Sequence, residues 1–215
     1  MTIKNFSTIL HNNWRVTLDF TSPITGEIVQ PSVIFGANGS GKTMLLHHIV
    51  QADDDGRAYL FSANRDPLTM NAYIDHAMNF IIEKHSYHWY PHVIKEHQDT
   101  IHLEGADSND LIPFLRWGAG HQQLMFLLVE TLRRVMEGYN LILIDEIERS
   151  LHPQLQNSLL AGLRFITEEN GAQVICTSHS MNILDNIFSR QTFCLSNDPQ
   201  QGSWGSGVEY ERAEV

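Results

Sequence analysis

Residues 36–43 read GANGSGKT, a complete G-x-x-x-x-G-K-[ST] pattern. It follows the apolar run SVIF and precedes MLLHHIV, whose apolar residues fall at helical spacing. A chain carrying it must leave a strand through a tight turn and start a helix at once, which commits it to an α/β sheet. Turns of this composition fold their N–H groups inward as an anion nest, and the helix N-terminus adds partial positive charge. Gly36, Ala37, Asn38, Gly39, Ser40 and Gly41 form the expected cradle for the phosphates of ATP. Lys42 is expected to reach the β- and γ-phosphates and the Thr43 hydroxyl to ligate Mg2+.

The rest of the chain repeats the strand–helix rhythm. PSVIFG, RAYLFSA, NLILIDE, AQVICTSH and QTFCLS read as strands, several apolar throughout as parallel strands covered on both faces are. HQQLMFLLVETLRRVME and HPQLQNSLLAGLRFITEE read as helices, the first with Leu124, Leu127, Leu128, Leu132 and Val135 on one face. NWRVTLDF alternates and suits an antiparallel strand. Residues 65–113 break the rhythm and read as an inserted subdomain of a domain spanning 1–197. The Gly-, Ser- and Glu-rich residues 198–215 read as a poorly ordered acidic tail. At 215 residues, 42% apolar and 18% charged, one globular domain is expected.

A net charge of -11 argues against a surface built mainly for phosphate backbones. Residues 51–112 alone hold eleven Asp or Glu against four Lys or Arg. There is no apolar run of membrane-spanning length and no signal-peptide pattern. Cys176 and Cys194 both lie in apolar runs and are expected to be buried thiols, so a reducing, cytoplasmic setting with no membrane is expected.

Two further strand ends carry chemistry. NLILIDE closes on Asp145 and Glu146, at the carboxyl edge where open α/β sheets bind ligands. Asp145 is expected to hold Mg2+ and Glu146 to polarise the attacking water. QVICTSH closes on His179, whose imidazole can report the γ-phosphate.

In the order phosphate loop, WGAGHQQ, LILIDE and TSH, the sequence resembles the ABC-type ATPases over roughly residues 1–196. IKNF, FGANGSGKT, LIDEIERSLHP and CTSHS resemble the SMC/RecF/OLD-like branch, which includes DNA-repair and anti-phage defence ATPases. The resemblance implies a P-loop NTPase with an ABC-type mixed sheet flanked by helices. It also implies an ATP-sandwiched dimer with a second copy, or with a related ATPase chain. Gly118, Ala119, Gly120 and His121 then fall at the signature that caps the γ-phosphate of the opposite subunit. Gly118 stands where a serine is usual, so one hydroxyl donor is missing and His121 is the candidate replacement. Glu148, Arg149, Ser150 and His152 fall in the segment that would run along the dimer interface. Ser62 and Asn64 are candidates for the Mg2+-sensing loop, and Phe6 and Trp14 for the aromatic that stacks on adenine.

Thr43 and Gly118 are only 75 positions apart, too close for a long coiled-coil arm, and little follows His179 that could be a fused nuclease. An effector driven by the ATPase is therefore expected to be a separate chain, with nucleic-acid contact left open. A transporter ATPase subunit is disfavoured by Ile147 and SLHP, where transporters carry D-E-P-T-S-A-L-D. A non-hydrolysing ATP-binding scaffold is disfavoured by Lys42, Asp145 and Glu146 and favoured slightly by Gly118. A P-loop kinase would leave His179 and residues 115–125 without a role. His85, His88 and His92 are spaced for a metal, but Pro91 interrupts the helix and no carboxylate completes a set, so they read as polar surface.

Overall fold

The computed structural model describes residues 2–10, 13–65, 118–196 and 207–213. The expected inserted subdomain and the three spaced histidines lie outside the described residues, apart from Arg65 at the insert's first edge. In chain order the elements are β1 (Asn5–Leu10), β2 (Trp14–Asp19), β3 (Ser32–Gly36), α1 (Lys42–Gln51), β4 (Ala58–Phe61), α2 (Ala119–Met136) and β5 (Leu141–Ile144). Then follow α3 (Pro153–Asn170), β6 (Gln173–Ser178), the short α4 (Met181–Asp185), a 3-10 turn (Ser189–Gln191), β7 (Thr192–Leu195) and β8 (Val208–Arg212).

The main sheet is five-stranded and parallel, in the order β4-β5-β6-β3-β7. The chain is thus an α/β protein of the P-loop NTPase class, with a mixed architecture completed by an antiparallel sheet β1-β2-β8. The runs read as apolar throughout are the central strands. Leu141–Ile144 and Gln173–Ser178 are buried at every position. Alternate side chains serve opposite cores, as the two-residue period of a strand requires. Ile142, Ile144, Val174 and Cys176 join α2 and α3 through Leu124, Leu128, Leu159 and Leu163. Leu143 and Ile175 point the other way, to Leu45 and Ile49 of α1 and Leu18 of β2. Helix α3 starts with Pro153 in its first turn and ends at Gly171 with φ 65, the placement that each residue's backbone prefers.

Two expectations need correction. Cys176 is buried, but Cys194 near the sheet edge is only partly so. Residues 208–212 are not a loose tail: β8 pairs with β2 in the register Leu18↔Val208 and Val16↔Tyr210. The composition hid a strict alternation in Val-Glu-Tyr-Glu. Val208 is buried, Tyr210 packs on the core, and Glu209 and Glu211 face outward. The Tyr210 hydroxyl also accepts the Ser196 amide at 2.8 Å, pinning the end of β7 to β8.

If this strand belongs to the fold, Val208→Ala should lower unfolding free energy in urea by about 1–2 kcal/mol. An unchanged midpoint would return the segment to the status of a tail.

Candidate functional site

Strand β3 delivers Gly36 to the loop, and α1 begins at Lys42. Gly39 (φ 82) and Gly41 (φ 90) hold left-handed backbone conformations that disfavour any residue with a Cβ. Gly41 caps α1 with no side-chain hydrogen bond, so no side chain competes for the anion position at the helix N-terminus. Ala37, Asn38 and Gly39 are exposed, whereas the Ser40 hydroxyl is buried with no hydrogen-bond partner. Lys42 folds over the loop and its ammonium donates to the carbonyls of Gly36 (2.7 Å) and Ala37 (3.0 Å). Burial lowers its pKa from the usual lysine value, and the charges of Glu148, Asp145 and Glu146 oppose that in part.

Beside the loop, the Thr43 hydroxyl donates to Asp145 Oδ2 at 2.9 Å. Asp145 is 4% exposed, and its other oxygen accepts the Thr177 hydroxyl at 2.6 Å. Thr177 Oγ1 in turn accepts the Glu146 amide at 2.8 Å, and the Thr177 carbonyl accepts the Ile147 amide at 3.0 Å. One residue of β6 therefore fixes three consecutive residues at the end of β5. Glu146 takes φ 46, rare for a residue with a side chain, and sits half-buried with Arg149 at 3.3 Å.

Arg65 completes this arrangement. Its two terminal nitrogens donate to the main-chain carbonyls of Asp145 (2.9 Å) and Glu146 (2.8 Å), and one also donates to Ser62 (3.1 Å). Burial pushes its guanidinium down to about 10, opposed by the Asp145 and Glu146 charges. Ser62 and Asn64 are exposed and bond to each other, so the residue of this loop that reaches the backbone of Asp145 and Glu146 is Arg65.

Glu148 turns inward. Its Oε1 accepts the His179 amide at 2.8 Å and lies 2.8 Å from Nδ1 of the His179 ring, while Oε2 is buried without a partner. The signature stretch opens α2: Gly118 is the exposed, extended N-cap, and no side chain caps that end. A Cβ on Gly120 would meet the Ser150 carbonyl at 3.2 Å and Leu155 Cδ1 at 3.0 Å, so glycine lets α2 press against the turn after the carboxylates. His121 does not present its Nε2 outward; that atom is buried and unpartnered. Phe6 packs against the core beside α1 and Trp14 is partly buried at the start of β2.

The loop donors, Lys42, Thr43 and Asp145 thus lie together, with Glu146 and His179 on neighbouring strand ends. A threonine hydroxyl and a carboxylate oxygen in hydrogen-bond contact form the hard-oxygen donor set that suits Mg2+ bound alongside phosphate oxygens. Arg65, Thr177 and the inward role of Glu148 were not legible beforehand. Thr177 stood inside the quoted CTSH and Glu148 inside DEIERS, but nothing in either string says which way the side chain points.

A protein-family model described as "AAA domain, putative AbiEii toxin, Type IV TA system" matches residues 47–185. No curated protein matches the chain. Among solved structures, the dimeric structure of a bacterial ABC transporter cassette is 15% identical, covering 98% of this chain and 97% of its own, with a TM-score of 0.46. A nucleotide-free ATP-binding cassette from an ABC transporter is 16% identical, covering 86% and 81%, also at 0.46.

Because the Thr177 hydroxyl bonds both the Asp145 carboxylate and the Glu146 amide, Thr177→Val should cost about 2–4 kcal/mol of stability, measured by urea unfolding. A loss below about 0.5 kcal/mol would mean that the strand end is held without it.

Proposed function

The chain belongs to this AAA-domain family, and we propose that it binds and hydrolyses ATP and that ATP closes a dimer which switches a separate partner. The observation that carries the reading is the 2.9 Å contact of Thr43 with Asp145, which joins the phosphate loop to the strand-end carboxylates. In this reading residues 36–43 cradle the phosphates, with Lys42 moving from the Gly36 and Ala37 carbonyls to the β- and γ-phosphates. Thr43 and Asp145 would hold Mg2+, which when bound neutralises phosphate charge. Glu146, set in its left-handed turn, orients and deprotonates the attacking water. His179 contacts the γ-phosphate.

The start of α2, Gly118 to His121, is the surface offered to the nucleotide of the opposite subunit. Gly118 is exposed and uncapped, which supports a helix N-terminus aimed at an anion. The inward Nε2 of His121 leaves that capping to main-chain N–H groups rather than to the imidazole. Membership of the SMC/RecF/OLD-like branch and a cytoplasmic role in anti-phage defence or DNA repair belong to the same proposal. The family description names a toxin of a type IV toxin–antitoxin system, which accords with the defence part of this reading. No helix among the described residues is long and apolar enough to cross a membrane.

Light scattering of the Glu146→Gln protein tests the proposal. With Mg2+-ATP its mass should double, and Gly118→Arg in the same background should abolish the doubling while ATP still binds. Lys42→Ala should weaken ATP binding about 10- to 100-fold, as expected for losing a charged contact. An ATP-saturated protein whose mass never changes would remove the homodimer.

A further inference from the structure

Glu148 is a buried carboxylate that the roles above do not use. Its side chain is 7% exposed, and one of its oxygens has no hydrogen-bond partner. Leaving a charged oxygen unsatisfied is costly, so a residue kept there for packing alone would be better apolar. The other oxygen is fully engaged with His179, through the main-chain N–H and ring Nδ1, both at 2.8 Å. A carboxylate can only accept, so Nδ1 must carry the proton. The same oxygen fixes the backbone on which the ring is mounted, so the ring cannot turn without breaking the pair. His179 is 51% exposed at its side chain, which leaves the far edge of the imidazole accessible. Strand β6 pairs with β3 in the register Phe35↔Ser178, which places His179 beside Gly36 where the phosphate loop begins.

We propose that Glu148 is the positioning residue of His179: by holding Nδ1–H and the residue's amide, it sets the tautomer and leaves Nε2 as the nitrogen that meets the γ-phosphate. This rests on His179 being the γ-phosphate contact in the proposed ATPase. The chemistry parallels the general rule that the bond made by one imidazole nitrogen decides what the other can do. It reassigns Glu148 from the dimer surface, where its place in the sequence puts it, to the interior of its own subunit. The role is distinct from that of Glu146. Glu148 acts through the imidazole and touches neither water nor phosphate.

The test begins on the unaltered protein. Nitrogen-15 NMR of the imidazoles, with His179 assigned by its loss in His179→Ala, should show the neutral ring protonated on Nδ1. Mg2+-ATP, but not Mg2+-ADP, should shift Nε2. A neutral ring protonated on Nε2 overturns the proposal without any variant at position 148. Glu148→Ala should lose the Nδ1 signature and lower kcat about 10- to 100-fold, with ATP affinity kept within about threefold. Glu148→Gln retains an acceptor and should keep the tautomer with a smaller loss. Glu148→Ala/His179→Ala should be no slower than His179→Ala alone, since the two act as one unit. Multiplicative losses in the double variant, or full turnover in Glu148→Ala, would also overturn it. If the unaltered protein shows no turnover while Nδ1 is protonated and Nε2 responds to ATP, hydrolysis fails and the positioning role stands. A silent Nε2 sinks the positioning role.

Discussion

The site depends on the side chain and carbonyl of Thr177. A single β6 residue donates to Asp145, accepts from the Glu146 amide and accepts from the Ile147 amide, so the end of β5 is templated by its neighbour strand. Thr177 is fully buried, as is its bond to Asp145, and there an unmade bond costs more than a made one gains. The Asp145 carboxylate then passes the constraint to α1 through the Thr43 hydroxyl. Sheet register thereby fixes where the phosphate loop sits relative to the carboxylates. Arg65 secures the same corner from the opposite side, by gripping the carbonyls whose amide sides Thr177 orders.

In the proposed ATPase, the charges gathered there give a divalent cation its task. Asp145, Glu146 and Glu148 are three carboxylates around one lysine, and the fields of all three reach Lys42. A γ-phosphate entering such a corner meets repulsion that Lys42 alone cannot offset, particularly as burial weakens its hold on a proton. Under that proposal Thr43 and Asp145 would hold a divalent cation that offsets this repulsion, and the paired hydroxyl and carboxylate are the hard donors such a cation prefers. Arg65 and Arg149 balance Glu146 without reaching into the phosphate position, since Arg65 is committed to main-chain carbonyls.

The layout of the fold was readable because its central strands carry uninterrupted apolar stretches, LILI in β5 and VIC in β6, and a glycine-rich loop joins β3 to α1. The five parallel strands fall where those runs predict, and β2 pairs antiparallel as its alternation requires. Strand β8 was not readable: its alternating Val208 and Tyr210 are too few to outweigh a Gly- and Glu-rich surround, and only pairing with β2 gives them a face to bury. Lys42, Thr43 and Asp145 stand out by spacing alone, and the Thr43 hydroxyl donates to Asp145 at 2.9 Å; their roles toward a nucleotide belong to the proposed function. Arg65 was out of reach for a different reason. It acts across 80 positions of sequence on main-chain oxygens, and backbone acceptors leave no trace in residue identity.

The same corner accounts physically for the departure from the transporter pattern, in which proline follows the paired acids. Here that position is Ile147, fully buried, and its amide donates to the Thr177 carbonyl at 3.0 Å. Proline has no N–H to give, so the carbonyl would lose its partner in the interior. Glu146 adds a second obstacle. Its φ of 46 is left-handed, whereas a residue before proline is driven to extended conformations. The turn that aims Glu146 and the turn that proline would impose are therefore alternative ways of leaving β5. Choosing the first sends Glu148 inward to His179, where one of its oxygens accepts the His179 amide and lies 2.8 Å from ring Nδ1. A proline at 147 would disturb Glu146 and Glu148 together, because both are aimed by the two amides that Thr177 receives.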